Sequence, residues 1–494
     1  MFSNFTNWIQ KVSLDLIRKT AKVAIKNKCE FQTNFEVIFV KVVKFGGSSL
    51  ATGEQFDKVV NIIRADPERQ VIVTSAPGKR DKADVKVTDL LIQYAQQVLA
   101  QQDFSTTVAQ ITTRYREISD HFELPAATLQ TITHKLGALA TTTFTDDDHL
   151  MAAFKAHGEL LNAILLADVL NEQGIPAKFL DPRAAGFLVD GEPNNADVLD
   201  ETYLNLSHLS LSATRIVFPG FFGYSPSGDI YTFTRGGSDI TGAILSRGLK
   251  ADLYENFTDV DAIYTVDNHI VPHPAVISKM SYREMRELSY AGFSVFQDEA
   301  IIPAVQGQVP VNVKNTNNPT APGTLIVPEQ FLFNPANPIT GIACSDRFSA
   351  LYLHRYLLNK EVGFTLKLLE IFQQYGISYE HMPSGIDDLT IIFDQSKLDS
   401  ATIKALCHDI RETLKPDYLE WIDDYAIIMV VGEGIAHTVD TMGKVIDSLT
   451  QHGIAIQMIN QGASRISIMI GTQRKDAAAA VHHIYDTFFV KSEV

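Results

Sequence analysis

Between Lys41 and about residue 325 the chain switches repeatedly between two hydrophobic periods. Runs such as Val40–Phe45, Val71-Ile-Val-Thr-Ser-Ala76 and Ile216-Val-Phe-Pro-Gly-Phe221 have the short, branched, apolar character of buried strands. Phe56, Val59, Val60 and Ile63 instead recur at helical spacing, and residues of about 86–175 are read as mostly helical. Ser225-Pro-Ser-Gly-Asp229 predicts a hairpin turn, and Asp146-Asp-Asp-His149 a solvated helix start. Alternating strands and helices predict a layered α/β domain with a mainly parallel central sheet. Asn315-Thr-Asn-Asn-Pro-Thr-Ala-Pro-Gly323 closes that pattern, and Asn334-Pro-Ala-Asn-Pro338 reads as a linker.

Beyond the linker the chain repeats itself. Gly376-Ile-Ser-Tyr-Glu and Gly453-Ile-Ala-Ile-Gln each follow a helical stretch, and each leads to a further glycine, Gly385 and Gly462, so both glycine pairs are 77 residues apart. Each unit reads as a βαββαβ arrangement. The expected organisation is a leader over 1–39, a first domain over 40–326, and two smaller units over 340–415 and 420–494.

Charge and composition narrow the function. A net charge of −16 in 494 residues, with 45% apolar residues, argues against nucleic acid or an anionic membrane as main partner. Three cysteines without a CxxC pair exclude a zinc or disulfide framework built from cysteine alone, and fit a reducing cytoplasm. No uninterrupted apolar run approaches a membrane span. Residues 1–39 reverse the charge balance, with Lys11, Arg18, Lys19, Lys22, Lys26 and Lys28 against Asp15, Glu30 and Glu36. They are read as a disordered leader or a start-site artefact, since the first strand begins at Val40 and a GTG start codon there reads as valine.

Two clusters carry chemistry. Lys44-Phe45-Gly46-Gly47-Ser48-Ser49 follows the first strand, and its glycines let backbone N–H groups approach an anion. A helix expected to start near Ser48 would point its positive end there, and Lys44 adds a charge suited to phosphate. Thr234-Arg235-Gly236-Gly237-Ser238-Asp239 repeats the device with a guanidinium suited to a carboxylate. Asp239 is costly in an anion site unless it orients a cation, either Lys44 or a magnesium–phosphate group.

These motifs, with His157-Gly-Glu-Leu and Phe257-Thr-Asp-Val-Asp-Ala-Ile-Tyr264, resemble the aspartokinases of the amino-acid kinase superfamily over about 41–494. The resemblance implies an αβα kinase domain followed by two ferredoxin-like ACT domains. It implies transfer of the ATP γ-phosphoryl group, with Mg2+ on the nucleotide, to the side-chain carboxylate of L-aspartate. By similarity Lys44 and Asp239 are catalytic. Lys44, Phe45, Gly46, Gly47, Ser48, Thr258, Asp259 and Tyr264 surround the nucleotide. Thr88, Glu159, Arg235, Gly236, Gly237 and Ser238 hold aspartate, Arg235 on its α-carboxylate and Glu159 on its α-ammonium. No residue is assigned as a metal ligand. ACT pairing implies a homodimer or higher assembly and a regulatory amino acid, lysine or threonine or both, near Met382, Ser384 and Gly385. Against the commonest pattern of the family, Ser294 stands where a nucleotide-binding lysine is usual, and His269 stands near a usual arginine. Another carboxylate kinase of the superfamily and a non-catalytic amino-acid sensor are the alternatives.

Overall fold

The computed structural model describes residues 39–234, 236–293, 298–332 and 337–490. The leader therefore lies outside the described residues except for Phe39, as do Arg235, Ser294 and most of the linker.

Eight strands form the first sheet: β1 (Lys41–Phe45), β2 (Arg69–Thr74), β3 (Ala177–Phe179), β6 (Arg215–Pro219), β9 (Leu253–Thr258), β10 (Lys279–Ser281), β11 (Val311–Asn315) and β12 (Thr324–Val327). Between them, β4 (Val189–Glu192) pairs with β5 (Asn195–Val198), and β7 (Phe222–Tyr224) with β8 (Ile230–Thr232), as two small hairpins. The order is β10-β12-β11-β9-β1-β2-β6-β3. All neighbours run parallel except β11 and β12. Strands buried on both faces carry apolar side chains on both. In β1, Val43 and Phe45 enter one core with the helices Gly53–Ala65, Val87–Leu99, Ser105–His121, Ala126–Ala138 and Asp147–Glu172. Val42 enters the opposite core with helices Gly237–Gly248 and Tyr282–Tyr290.

The helical middle section and the hairpin at Ser225–Asp229 are as the pattern predicts; Ser225 N donates to Asp229 O at 2.8 Å. Asp146 caps its helix by accepting from His149 N. That helix, Asp147–Glu172, is the one described helix long and apolar enough to cross a membrane, yet 72% of its apolar window is buried in the protein. It is a core helix. The helix expected near Ser48 is instead a 3₁₀ turn, Gly47–Leu50, and the α-helix begins at Gly53 behind the Thr52 cap.

The second sheet is antiparallel, in the order β14-β13-β15-β17-β16, with β13 (Gly341–His354), β14 (Asp388–Asp394), β15 (Tyr418–Val431), β16 (Met458–Asn460) and β17 (Ser467–Thr472). The bounds of β13 and β15 are 77 residues apart, so the sequence repeat is a structural one. Pairing differs from two consecutive units, however. The two long strands run antiparallel along their whole length, from Gly341 opposite Val431 to His354 opposite Tyr418. Ile342, at the start of β13, consequently packs in the core of helices Thr441–Thr450 and Arg474–Phe489. Leu351 and Leu353 pack with helices Phe364–Gln374 and Ser400–Leu414. The strand expected after Gly376 is reduced to isolated bridges, His381 to Ile392 and Ser384 to Leu389. The other sheet face, with Ala350, Ile427 and Met429, joins the core of the first domain.

Candidate active site

Parallel strands end together, and their carboxyl ends bring loops from distant parts of the sequence to one edge. Lys44 is the fourth residue of β1, opposite Val73 of β2 and Asn256 of β9. It is only 7% exposed. Its Nζ lies 2.6 Å from Asp239 Oδ1, in the first turn of helix Gly237–Gly248. Two residues of β9 tie that turn to the sheet. Asn256 Nδ2 donates to the same Oδ1 at 2.6 Å, and the Tyr254 hydroxyl donates to Asp239 O at 3.2 Å.

The two glycines preceding Asp239 have different reasons. Gly236 caps the helix at φ 84°, in the left-handed region where a side chain is strained. At Gly237 a Cβ would lie 2.6 Å from the Phe221 ring. Ser238 follows and points its Oγ at Glu159 Oε1, 3.5 Å away.

Glu159 comes from the long helix. Gly158 beside it lets that helix press on the loop after β2, since a Cβ there would sit 2.7 Å from Ala76 Cβ. The Glu159 carboxylate is buried, and its Oε2 has no hydrogen-bond partner among the described residues. Burial pushes its pKa up to about 8, against the smaller opposing effects of the Ala76 and Glu159 backbone, Ser238 and Lys44. A buried carboxylate with a free oxygen is a receptor for a cation. His157, in the same motif, is bonded through Nδ1 to Ala153 O at 2.8 Å, and burial lowers its pKa to about 4, so it is a neutral packing residue.

The glycine loop differs in detail from the pattern. Gly46 N is consumed by Phe257 O at 3.1 Å, and Ser49 N bonds back to Gly46 O. The N–H groups of Gly47 and Ser48 take no carbonyl among the described residues and are the donors the loop has to offer. Phe45 contributes no side chain to the loop. It is fully buried on the face opposite Lys44, stacked on Phe257 at 5.1 Å. Gly78, in the loop after β2, closes on the same turn. Its N donates to Gly47 O at 2.8 Å, and a Cβ on it would lie 2.6 Å from the Gly47 carbonyl carbon. Arg114 holds this second loop through Asp84 Oδ2, Val85 O and Gly78 O.

Thr258 and Asp259 follow at the end of β9, joined by a 3.1 Å bond from Thr258 Oγ1 to Asp259 Oδ1. Tyr264 is half-buried in the next loop, bridged to Val276. Thr88 is the second residue of helix Val87–Leu99, half-buried, and no described hydrogen bond joins it to Lys44 or Glu159. Arg235 lies outside the described residues. The structure thus brings together Lys44, Asp239, Ser238, Glu159 and the Gly46–Ser48 loop. Asn256 lies two positions before Thr258 in β9, beside the polar Glu255, and only the pairing of β9 with β1 sets it apart.

Met382, Ser384 and Gly385 lie far along the chain at the edge of the second sheet. Gly385 N donates to Asp388 O at 2.8 Å, and Ser384 and Gly385 are exposed at the tip of the turn, with Met382 half-buried beneath them.

Residues 40–315 match the amino acid kinase family, and residues 428–488 match the ACT domain. The chain is 46% identical to aspartokinase 3 of Bacillus subtilis over 91% of its own length and 99% of that protein. The solved aspartate kinase of Clostridium acetobutylicum superposes with a TM-score of 0.79 at 37% identity, over 91% of this chain and 99% of that one. Escherichia coli aspartokinase III, solved with aspartate and ADP, superposes with a TM-score of 0.71 at 23% identity over 91% and 99% of the two chains, a likeness of fold.

Proposed function

The chain belongs to the aspartokinases of the amino acid kinase family, and on that premise we propose that the Lys44–Asp239–Ser238–Glu159 cluster carries its reaction. That reaction moves the γ-phosphoryl group of ATP onto the side-chain carboxylate of L-aspartate, giving 4-phospho-L-aspartate and ADP. The observation that carries the reading is the buried Glu159 carboxylate with a free oxygen, beside a lysine paired to Asp239.

The attacking group is a carboxylate with an ordinary pKa near 4, already ionised at neutral pH, so no general base is required. One of its oxygens bonds to the γ-phosphorus while the bond from that phosphorus to the bridging oxygen breaks, and ADP leaves with the electron pair. The obstacle is repulsion between two anions. Lys44 neutralises charge as it passes between them, and Asp239 keeps the ammonium in place. The amides of Gly47 and Ser48 bind phosphate oxygens, with Gly46 and Gly78 giving close approach; Phe45 contributes main chain only. Thr258, Asp259 and Tyr264 form the wall for base and ribose. Glu159 takes the α-ammonium of aspartate, with Ser238, Thr88 and the Gly236–Gly237 turn around the substrate and Arg235 on its α-carboxylate. Mg2+ bound to the ATP phosphates would add positive charge at the same place; the cationic, glycine-lined loop fits that complex.

The kinase domain spans 40–326 in this reading, and the regulatory sheet takes lysine or threonine, alone or together, near Met382, Ser384 and Gly385. Pairing of that sheet with a second copy gives a homodimer or larger assembly, in the cytoplasm. A coupled assay tests the catalytic part. ATP with L-aspartate should support turnover, while L-glutamate and N-acetylaspartate, which lacks the ammonium that Glu159 needs, should be poor substrates. Equal turnover of aspartate and N-acetylaspartate contradicts the role of Glu159.

A further inference from the structure

Asp239 Oδ1 is shared. Lys44 Nζ and Asn256 Nδ2 both approach it at 2.6 Å, and Asn256 stands directly opposite Lys44 in the parallel pairing of β1 with β9. Paired residues of parallel strands project from the same face, so lysine and amide meet the carboxylate side by side beneath helix Gly237–Gly248. Asn256 is 4% exposed, and its amide has a second contact to the Tyr254 hydroxyl at 3.5 Å. Gly242 permits that arrangement, because a Cβ there would lie 2.5 Å from the same hydroxyl. A buried amide needs a partner for its N–H groups, and here that partner is the Asp239 carboxylate.

We propose that Asn256 is a positioning residue for phosphoryl transfer: it keeps Asp239 hydrogen-bonded and correctly turned while Lys44 shares its ammonium between that carboxylate and the transferring phosphoryl group. The proposal rests on the reading of Lys44 and Asp239 given above. Lys44 has three N–H donors and must reach both anions. Without a second donor on Oδ1, Asp239 would depend on Lys44 alone, and each shift of the lysine toward phosphate would leave a half-buried carboxylate oxygen without its partner. With Asn256 in place, the carboxylate stays satisfied, and the lysine is held without being immobilised.

Two variants test this. Asn256→Leu removes the donor at similar volume and should lower kcat about 10–100-fold, the range expected for a lost hydrogen bond to a charged catalytic group, with aspartate KM changed less than about two-fold. Asn256→Asp is the sharper test. Two carboxylates sharing one site raise one proton affinity, and the protonated acid can donate to Asp239 as the amide does. The kcat of Asn256→Asp relative to wild type should therefore be highest at acid pH and fall as pH rises through the titration of the pair. Glu159 is common to both proteins and cancels in the ratio.

A pH-independent ratio overturns the proposal, as does an Asn256→Leu enzyme with kcat within about two-fold of wild type. Should Asn256→Leu fail to unfold cooperatively, the pH ratio of Asn256→Asp decides alone. Lys44→Ala separates the two levels of the argument. If that variant turns over normally, the reading of the site fails; if it is inactive while both Asn256 variants behave as wild type, only the positioning role fails.

Discussion

Two ion pairs anchor on opposite faces of the same sheet, and they are built for opposite ends. At the start of β2, Arg69 grips Glu255 through Nε at 2.6 Å and Nη2 at 3.1 Å, and its Nη1 donates to Ile62 O at 2.6 Å. The fork of the guanidinium meets the fork of the carboxylate, and both Glu255 oxygens have partners. Near the carboxyl ends, Lys44 and Asp239 meet through a single oxygen, beside a third group, Glu159, that keeps an oxygen unmatched. Glu255 and Asn256 are consecutive in β9 and point to opposite faces, so one strand serves both pairs. The saturated pair has nothing left to bind and serves structure. The unsaturated cluster stores an unmet interaction that substrate can satisfy, which is how a site differs from a strut.

Breaking each pair should separate rate from stability. Lys44→Ala should lower kcat by about 10²–10³-fold or more, the scale of losing one charge-stabilising donor, while thermal unfolding stays cooperative because Asn256 still bonds Asp239. A coupled kinase assay beside a calorimetric melt measures both. Arg69→Met should do the reverse. Leaving Glu255 buried and unpaired costs about 3–5 kcal/mol of folding stability, read from denaturant unfolding, with kcat of the folded fraction near wild type. A rate loss in Arg69→Met as large as in Lys44→Ala would erase the distinction.

Glu159→Gln sharpens the unsaturated side. Aspartate KM should rise at least about ten-fold, the cost of a lost charged partner, with ATP KM within about two-fold. The pH dependence of stability has a definite sign. The pKa of folded Glu159, about 8, lies above the ordinary 4.5, so between those values the folded protein holds a proton that the unfolded chain has lost. Its contribution to stability therefore declines as pH rises from the ordinary carboxylate range toward 8, and Glu159→Gln should abolish that part of the slope. The smallest catalytic effect is expected at the far sheet. Gly385 is exposed, and a Cβ added there meets nothing closer than Asp388 Cβ at 3.6 Å. Gly385→Trp should weaken inhibition by lysine or threonine and leave uninhibited kcat unchanged; a variant inhibited as strongly as wild type removes this turn from the regulatory site.

The legible parts of this protein were those encoded locally. Short continuous apolar runs mark β1 and β2 because both faces of those strands are buried, and a 3.6-residue period marks the long helices because one face is. The 77-residue repeat survives in matching glycines at turns. Lys44 and Asp239 were legible as charged residues in glycine-rich turns that apolar packing does not explain, whereas Glu159 was legible only through the family resemblance, since by itself it reads as an ordinary helix glutamate. What escaped depends on distant partners. Nothing near Gly46 in the chain shows that its N–H is spent on Phe257, and nothing near Gly78 shows that it abuts Gly47. The swap of β13 between the two small cores follows from pairing with β15, some 77 residues later, and no local pattern records it. Asn256 needed the register of β1 against β9 before its place opposite Lys44 had meaning.

Glu159 is held protonated, with Oε2 unpaired among the described residues, until aspartate supplies its ammonium. Titration of the protein with L-aspartate at pH 7, in buffers of different ionisation enthalpy, measures protons exchanged on binding. Aspartate binding should release protons, because a carboxyl whose burial raises its pKa to about 8 must ionise to pair with the ammonium, and Glu159→Gln should release none. Binding of aspartate by the wild-type protein with no proton release, or with release unchanged in Glu159→Gln, contradicts it.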